Sequence, residues 1–296
     1  MYDRYKVKKF IILIPVYNDW ESLKKLLNNI DESIKDIQNA KFNCIVVNDC
    51  STIKTPKIKV PPNINSIKII NMSENKGHAR CNAFGIKYLS EASDLEYLIL
   101  MDGDGEDRPE EIKLLVNKVL AKPNISVVAK RIKRSESLLF QSLYYIHKYL
   151  TLITTGKLIN FGNYSCLTKN DLKILSSKAS LWSSFSGSFK KHIKNYNEIN
   201  SLRGIRYFGP SQMSLFKLIV HSLSIIAVFK YRVFFTSVIL CILFQYLTLL
   251  VSFNFLFFQT SIILFNFFVF IVSYRENETE LKKSILNINN IDELTH

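Results

Sequence analysis

Patterned cysteine is missing from this chain. Its five cysteines, Cys44, Cys50, Cys81, Cys166 and Cys241, form no C-x-x-C pair and have no histidine partner at metal-ligand spacing. That scatter argues against a thiolate metal site and predicts reduced, packed thiols in a cytosolic compartment. Internal repeats and low-complexity linkers are absent as well. The one early apolar run, "FIILIPVY", is short and contains Pro15, so it reads as a buried strand rather than a signal peptide. Acid is almost missing from a long stretch: between residues 137 and 275 only Asp171 and Glu198 occur.

What is present is positive charge, and it is unevenly placed. The net charge is +14 over 296 residues, room for one large domain or one domain with an appendage. Residues 1–121 carry 18 Lys and Arg against 17 Asp and Glu, residues 122–213 carry 15 against 3, and residues 214–296 carry 6 against 5. A single basic middle stretch suits nucleic acid, anionic lipid or a phosphorylated ligand.

Across the first 130 residues, strand-like and helix-like segments alternate. Apolar runs at 10–14, 43–47, 67–70, 97–101 and 126–129 lack clean alternation, as strands covered on both faces do. Helical stretches are read at 19–30, 79–90 and 109–121, the last opening on Pro109 with Glu110 and Glu111 near the positive end of its dipole. The order predicts a doubly wound α/β domain, with ligands beyond the carboxyl ends of its strands. Residues 137–155 read as an amphipathic helix, and "LINFGNYSCLT" as a strand or loop returning to the sheet. "SSFSGSFKKHIKNY" (183–196) reads as a mobile acceptor loop or a plain solvated one.

From residue 214 the chemistry changes. "SLFKLIVHSLSIIAVFK" confines Lys217, His221 and Ser224 to a narrow stripe, the pattern of a helix lying on a bilayer. Two uncharged runs, 233–251 and 255–272, follow across a tight turn at 252–254, each about long enough to cross roughly 30 Å of hydrocarbon. Gln245, Gln259 and Asn266 within them are read as interhelical hydrogen-bonding groups. Lys230 and Arg232 before the first span, and Arg275, Lys282 and Lys283 after the second, place both ends in the cytoplasm. The basic stretch then faces anionic lipid, and nucleic acid becomes the weaker partner.

The segment "YLILMDGDGEDRPEEI" (97–112) gathers Asp102, Asp104, Glu106 and Asp107 at the end of an apolar run. An EF-hand starting at Asp102 needs glycine sixth and glutamate twelfth, where Asp107 and Lys113 stand. Hard carboxylate oxygens at a strand end, opening a helix, suit Mg²⁺ or Mn²⁺ sharing its shell with substrate phosphates.

Four blocks in order resemble family 2 glycosyltransferases of the GT-A fold, in the branch of dolichyl- and polyprenyl-phosphate sugar synthases. "IPVYND" resembles P-x-Y-N-E, "VVNDCS" resembles V-D-D-G-S, "NKGHARCNAFGI" resembles N-x-G…A-x-N-x-G, and "MDGDGEDRPEEI" resembles D-A-D-L-Q-x-P-P-E. The resemblance covers about the first 135 residues. It implies that Pro15, Tyr17 and Asp19 line a nucleotide pocket, that Asp49 hydrogen-bonds the base, and that Asn48, Asn75, Gly77 and Arg80 contact the donor. Asp102, Asp104 and Glu106 would hold Mg²⁺ or Mn²⁺ and the diphosphate, while Arg131 and Arg134 would meet phosphate through their planar forks. Two departures bear on donor choice: Asn48 replaces the first aspartate of D-D-G-S, and Gly105-Glu106 replaces Leu-Gln.

The expected organisation is a GT-A (Rossmann-like) nucleotide-diphospho-sugar transferase domain at 1–213. An interfacial helix at 214–230, a two-span transmembrane hairpin at 231–274 and a cytosolic tail at 275–296 would follow. Relatives that glycosylate a hydroxyl usually carry a later E-D pair as general base. No such pair occurs here, and an ionised phosphate needs no base, so the expected acceptor is a polyprenyl phosphate, with Asp171 or Glu198 as the alternative base. The expected partners are a nucleoside-diphosphate sugar, polyprenyl phosphate (undecaprenyl in a bacterium) and membrane lipids, with room for a homo-oligomer, at the inner membrane. A saccharide-hydroxyl transferase and a non-catalytic scaffold are the rival readings. The lack of Q-x-x-R-W and the two spans argue against a processive synthase. His78 is placed near the diphosphate, and His147, His192 and His221 are read as structural or surface residues.

Overall fold

The computed structural model describes residues 7–92, 95–133, 138–210, 214–251 and 253–296. Arg134 and Ser252 therefore lie outside the described residues.

Each apolar run expected as a strand is one; the first three extend beyond the expected bounds at both ends, the fourth ends one residue earlier, and the fifth starts one residue later and runs four residues longer. β1 (Lys8–Val16), β2 (Ala40–Asn48), β3 (Ile64–Met72) and β4 (Tyr97–Leu100) lie side by side in parallel, in the order β3-β2-β1-β4. The helices between them, α1 (Trp20–Ile34), α2 (His78–Ser90) and α3 (Ile112–Ala121, after a 3-10 turn at Pro109–Glu111), cover both faces. In β1, Phe10, Ile12 and Ile14 face α1 and α3, while Leu13 packs with Phe84 and Ile86 of α2. Burial on both faces is why the runs show no apolar–polar alternation.

β5 (Val127–Lys133) does not join β4 directly. After α4 (Leu138–Thr155), β6 (Phe161–Thr168) inserts antiparallel between them, settling "LINFGNYSCLT" as a strand. β7 (Asn197–Leu202) then pairs parallel with β5 at the sheet's edge. Between β6 and β7 run α5 (Lys169–Ser176), a 3-10 turn and α6 (Phe185–His192). The acceptor-loop reading of 183–196 is corrected here. Ser184 caps α6 by accepting from Gly187 N at 3.2 Å, and Phe185 and Phe189 are buried. Phe189 meets Phe161 and Tyr196 edge to face, an aromatic cluster that a count of serines and lysines hides.

α7 (Leu215–Ala227) carries the chain from this core outward, burying Ile225 and Ile226 at its C-terminal end. α8 (Lys230–Leu250) and α9 (Leu256–Ser273) form an antiparallel pair long and apolar enough to cross a bilayer. The protein itself buries only 11% and 17% of their most apolar windows, unlike helices of a soluble core. The expected interhelical bonds are present: Gln259 Nε2 donates to Cys241 O at 3.1 Å and to Gln245 at 3.3 Å, and Asn266 donates to Ser237 at 2.8 Å. Lys230 and Glu276 pair at 3.1 Å, joining the hairpin's two feet.

Residues beyond the hairpin do not trail away as the expected tail. α10 (Glu278–Lys283) leads into β8 (Ile288–Leu294), which pairs antiparallel with β3 from Ile67 opposite Leu294 to Met72 opposite Ile288. The sheet thus has eight strands, β7-β5-β6-β4-β1-β2-β3-β8. β3 would otherwise present a row of unpaired amides, the usual reason an edge is covered. β8 is mostly exposed on both faces, so no hydrophobic period marks it in the sequence.

Candidate active site

The site lies at the carboxyl ends of β1, β2 and β4. Two loops there are tied by Asn18, which adopts φ 54° and accepts at Oδ1 from Thr52 N (2.9 Å) and Ile53 N (3.1 Å). Asparagine tolerates that left-handed backbone better than most residues. Pro15 is buried and Tyr17 stands 44% exposed at the rim. Cys50 also has positive φ (56°), at the place where the D-D-G-S motif carries glycine.

Asp49 is 3% exposed, and its carboxylate accepts from Lys76 N and Gly77 N, both at 2.8 Å. Asn75 Nδ2 donates to Asp49 O at 3.0 Å. Burial raises the Asp49 pKa, with those amides opposing it. Asp49, Asn75 and Gly77 thus brace the loop before α2, at positions where the resemblance implies a base contact for Asp49 and donor contacts for Asn75 and Gly77. The Arg80 guanidinium lies 5.7 Å over the Trp182 ring and donates to Lys76 O at 3.4 Å. Asn48 donates to Asn71 Oδ1 at 2.8 Å and accepts from Ser51 N at 3.0 Å, while Asn71 donates to Asp292 of β8 at 2.8 Å.

The acidic loop sits against β1. A Cβ on Gly103 would come within 2.9 Å of Pro15 O, so the D-G-D spacing is set by backbone contact. Asp102 Oδ1 meets His78 Nε2 at 3.0 Å and accepts from Asn163 at 3.2 Å. Burial works to raise the Asp102 pKa, but His78, Arg131 and Asn163 outweigh it and hold the carboxyl well below the usual range. For His78, burial works downward and is outweighed by Asp102, Asp104 and Asp107, leaving its pKa raised. Asp107, 3% exposed, accepts from Asp102 N at 3.0 Å and faces Arg131 at 3.7 Å.

Two further cations at this cluster come from a segment whose residues the sequence did not single out. After β7 the chain folds back over the loop: Gly204 N donates to Glu106 O (2.8 Å) and Tyr207 N to Asp104 O (2.9 Å). Arg203 pairs with Glu106, and Arg206 bridges Asp19 to Asp104, the latter at 2.8 Å. Burial, Asp102 and Glu106 push the Asp104 pKa up to about 6 against the pull of Arg206. Arg203 and Arg206 belong to the basic stretch, and that charge excess was the one signal that pointed to them. Among the described residues no three His, Cys, Asp or Glu groups are arranged to hold a metal. A hard dication here would take one or two carboxylates from Asp104, Glu106 and Asp102 and fill its shell from phosphate and water, a donor set that suits Mg²⁺ or Mn²⁺.

Neither alternative base reaches the loop. Asp171 is buried, accepts from Ser126 Oγ and takes part in the cap of α5, while Glu198 pairs with Lys130 at 3.4 Å.

A mixed, mainly parallel sheet with an acidic loop at its strand ends and a brace at the first βα turns has the layout of a GT-A domain. A family model for glycosyl transferase family 2 matches residues 11–201, and the chain belongs to that family. It is similar to undecaprenyl-phosphate 4-deoxy-4-formamido-L-arabinose transferases of Salmonella choleraesuis (strain SC-B67) and Salmonella paratyphi B (strain ATCC BAA-1250 / SPB7). Each is 29% identical over 171 residues, 57% of this chain and 50% of the relative. The match therefore spans about half the length of these curated relatives. Glucosyl-3-phosphoglycerate synthase from Mycobacterium tuberculosis, solved with Mn²⁺, UDP-glucose and phosphoglyceric acid, shares the fold. Its TM-score is 0.52 at 14% identity, covering 76% of this chain and 80% of that one.

Proposed function

We propose that the protein is a membrane-embedded glycosyltransferase that moves one sugar from a nucleoside diphosphate to a polyprenyl phosphate, undecaprenyl phosphate in a bacterium. The observation that carries this reading is the joining of the acidic-loop domain to two membrane-length helices through α7, which packs on α6 of the domain and on α9 of the hairpin. Relatives named for transfer to undecaprenyl phosphate support the acceptor. The hairpin's feet, rich in Lys and Arg, would sit on the cytosolic side of the inner membrane with the sheet beside them.

In the transfer, an acceptor phosphate oxygen attacks the anomeric carbon. The bond from that carbon to the diphosphate breaks, and its electron pair leaves with the nucleoside diphosphate. No proton has to be removed from the nucleophile, which accords with Asp171 and Glu198 standing in other contacts. Bound Mg²⁺ or Mn²⁺ would neutralise the leaving diphosphate. Asp104 and Glu106, with Asp102, are the residues to hold it, and Arg203 and Arg206 supply fixed positive charge at the same loop. His78 and Asn163 orient Asp102.

The test is transfer by detergent-solubilised full-length protein, given labelled nucleotide sugars, Mn²⁺ or Mg²⁺ and undecaprenyl phosphate. A labelled lipid should form, disappear with chelator, and drop by about 10²-fold in Asp104→Asn, the usual scale for loss of one electrostatic group at a reacting centre. Metal-dependent nucleotide binding with no labelled lipid from any donor would reject the lipid-phosphate acceptor.

A further inference from the structure

Three side chains on neighbouring strands form a line from the carboxyl end of β2 to the sheet's C-terminal edge. Asn48 ends β2 directly opposite Asn71 of β3. Asp292 of β8 lies opposite Ile69, two residues before Asn71 and so on the same face. Asn48 is buried, Asn71 half-buried and Asp292 exposed. Asn48 Nδ2 donates to Asn71 Oδ1 at 2.8 Å, and Asn71 Nδ2 donates to Asp292 Oδ2 at 2.8 Å. At the inner end, Asn48 Oδ1 accepts from Ser51 N at 3.0 Å.

The direction of this chain is fixed at both ends. A backbone N–H can only donate and an ionised carboxylate can only accept, so each amide between them has one usable orientation. Asp292 Oδ1 accepts from Asn290 at 3.1 Å, so both carboxylate oxygens are engaged. What the chain holds is the loop at 49–53. Ser51 Oγ accepts from Asn18 N at 2.9 Å, and Trp20 Nε1 donates to Ile53 O at 3.1 Å, which joins this loop to the one after β1. A second tie runs alongside. Cys50 Sγ donates to Ser73 O at 3.5 Å, and Ser73 N donates to Asn287 O at 2.9 Å, one residue before β8.

This line accounts for the departure at position 48. An aspartate there would accept from Ser51 N and from Asn71 alike. Asn71 would then have to turn its oxygen toward the Asp292 carboxylate, acceptor against acceptor. Asparagine at 48 and aspartate at 292 are therefore a matched pair. The negative charge that D-D-G-S carries at its first position stands here two strands away.

We propose that Asp292 is a positioning residue of the nucleotide site: through Asn71 and Asn48 it fixes the 49–53 loop, which with Tyr17 and Asp19 receives the nucleoside of the donor. This rests on the nucleotide-sugar reading above and extends that site to a strand beyond both membrane helices. Asp292 acts only through the two amides.

The experiment measures Kd for UDP and for GDP with Mn²⁺ by titration calorimetry on full-length protein in detergent, together with urea midpoints. Asp292→Ala should raise the Kd of whichever nucleotide wild type binds on the order of threefold, as loss of one hydrogen bond does. Asn71→Asp, which sets two carboxylates against each other, should raise it on the order of tenfold. Combining Asn71→Asp with Asp292→Asn should restore wild-type affinity, because the new carboxylate accepts from Asn48 on one side and from the new amide on the other. Glu293→Ala, on the same strand and facing Lys68 at 3.7 Å, should leave Kd unchanged. A lowered urea midpoint in Asp292→Ala with an unchanged Kd overturns the proposal, since the contact is then only structural. So does an equal rise in Glu293→Ala, or a double variant no better than Asn71→Asp alone. A wild type that binds neither nucleotide removes the nucleotide-sugar reading itself. If Asn71→Asp fails to fold, Asp292→Ala against Glu293→Ala carries the test.

Discussion

At the scale of the residue, the acidic loop depends on one position without a side chain. Gly105 has φ +88°, and a Cβ there would meet the Tyr207 ring at 2.5 Å. That ring cannot easily retreat, because Asn29 donates to its hydroxyl at 2.7 Å and Lys25 lies 4.8 Å over its face. Gly105→Ala should cost about 2–4 kcal/mol from overpacking and left-handed strain together, and abolish metal-dependent nucleotide binding. Gly209→Ala separates the two causes, since Gly209 has φ +65° and nothing within 4 Å of a Cβ. It should lose only about 1 kcal/mol in urea unfolding, and equal losses would show that the Tyr207 contact is not the cause. Asp102 and Asp104 were legible in the sequence because a carboxylate cluster ending an apolar strand is unusual locally. Arg203 and Arg206 were not, because their partners lie about a hundred residues away, and single-chain spacing carries no record of such a contact.

At the scale of the element, β1 to β5 could be read from burial: strands enclosed on both faces must be apolar throughout. α6 and β8 could not. α6 hides its anchors, Phe185 and Phe189, among serines and lysines, and β8 is held by its backbone ladder rather than by a buried face. That dependence on backbone is testable. Ending the chain after Asn287 removes six paired positions along β3 and the Asp292 partner of Asn71. The loss should be on the order of 3 kcal/mol, at roughly 0.5 kcal/mol net per ladder bond, read as a lower urea midpoint of the detergent-solubilised protein. A midpoint equal to that of the full chain would show that β8 contributes no stability.

At the scale of the whole molecule, the hairpin and the sheet are one body, since the chain leaves the core through α7 and returns to it through α10 and β8. Both feet must therefore lie on the side of the sheet, with the turn near Asn254 on the other. Cysteines introduced singly at Asn254 and Asn290, with Cys50 and Cys241 replaced by serine, should label from opposite faces of sealed inverted vesicles with an impermeant maleimide. Labelling from the same face would remove the two-span arrangement. The spans themselves were legible as long uncharged runs, and so were the polar groups that join them. The return of the chain to the sheet was not, because nothing apolar announces it.

That return sets an order of events during synthesis. The strand that closes the β3 edge is made after both membrane helices, so the sheet stays one strand short until the hairpin has turned back. A chain whose hairpin stalls or inserts the wrong way leaves β8 on the far side of the bilayer and β3 open. An uncovered β3 edge would then leave a misinserted chain open to aggregation or proteolysis.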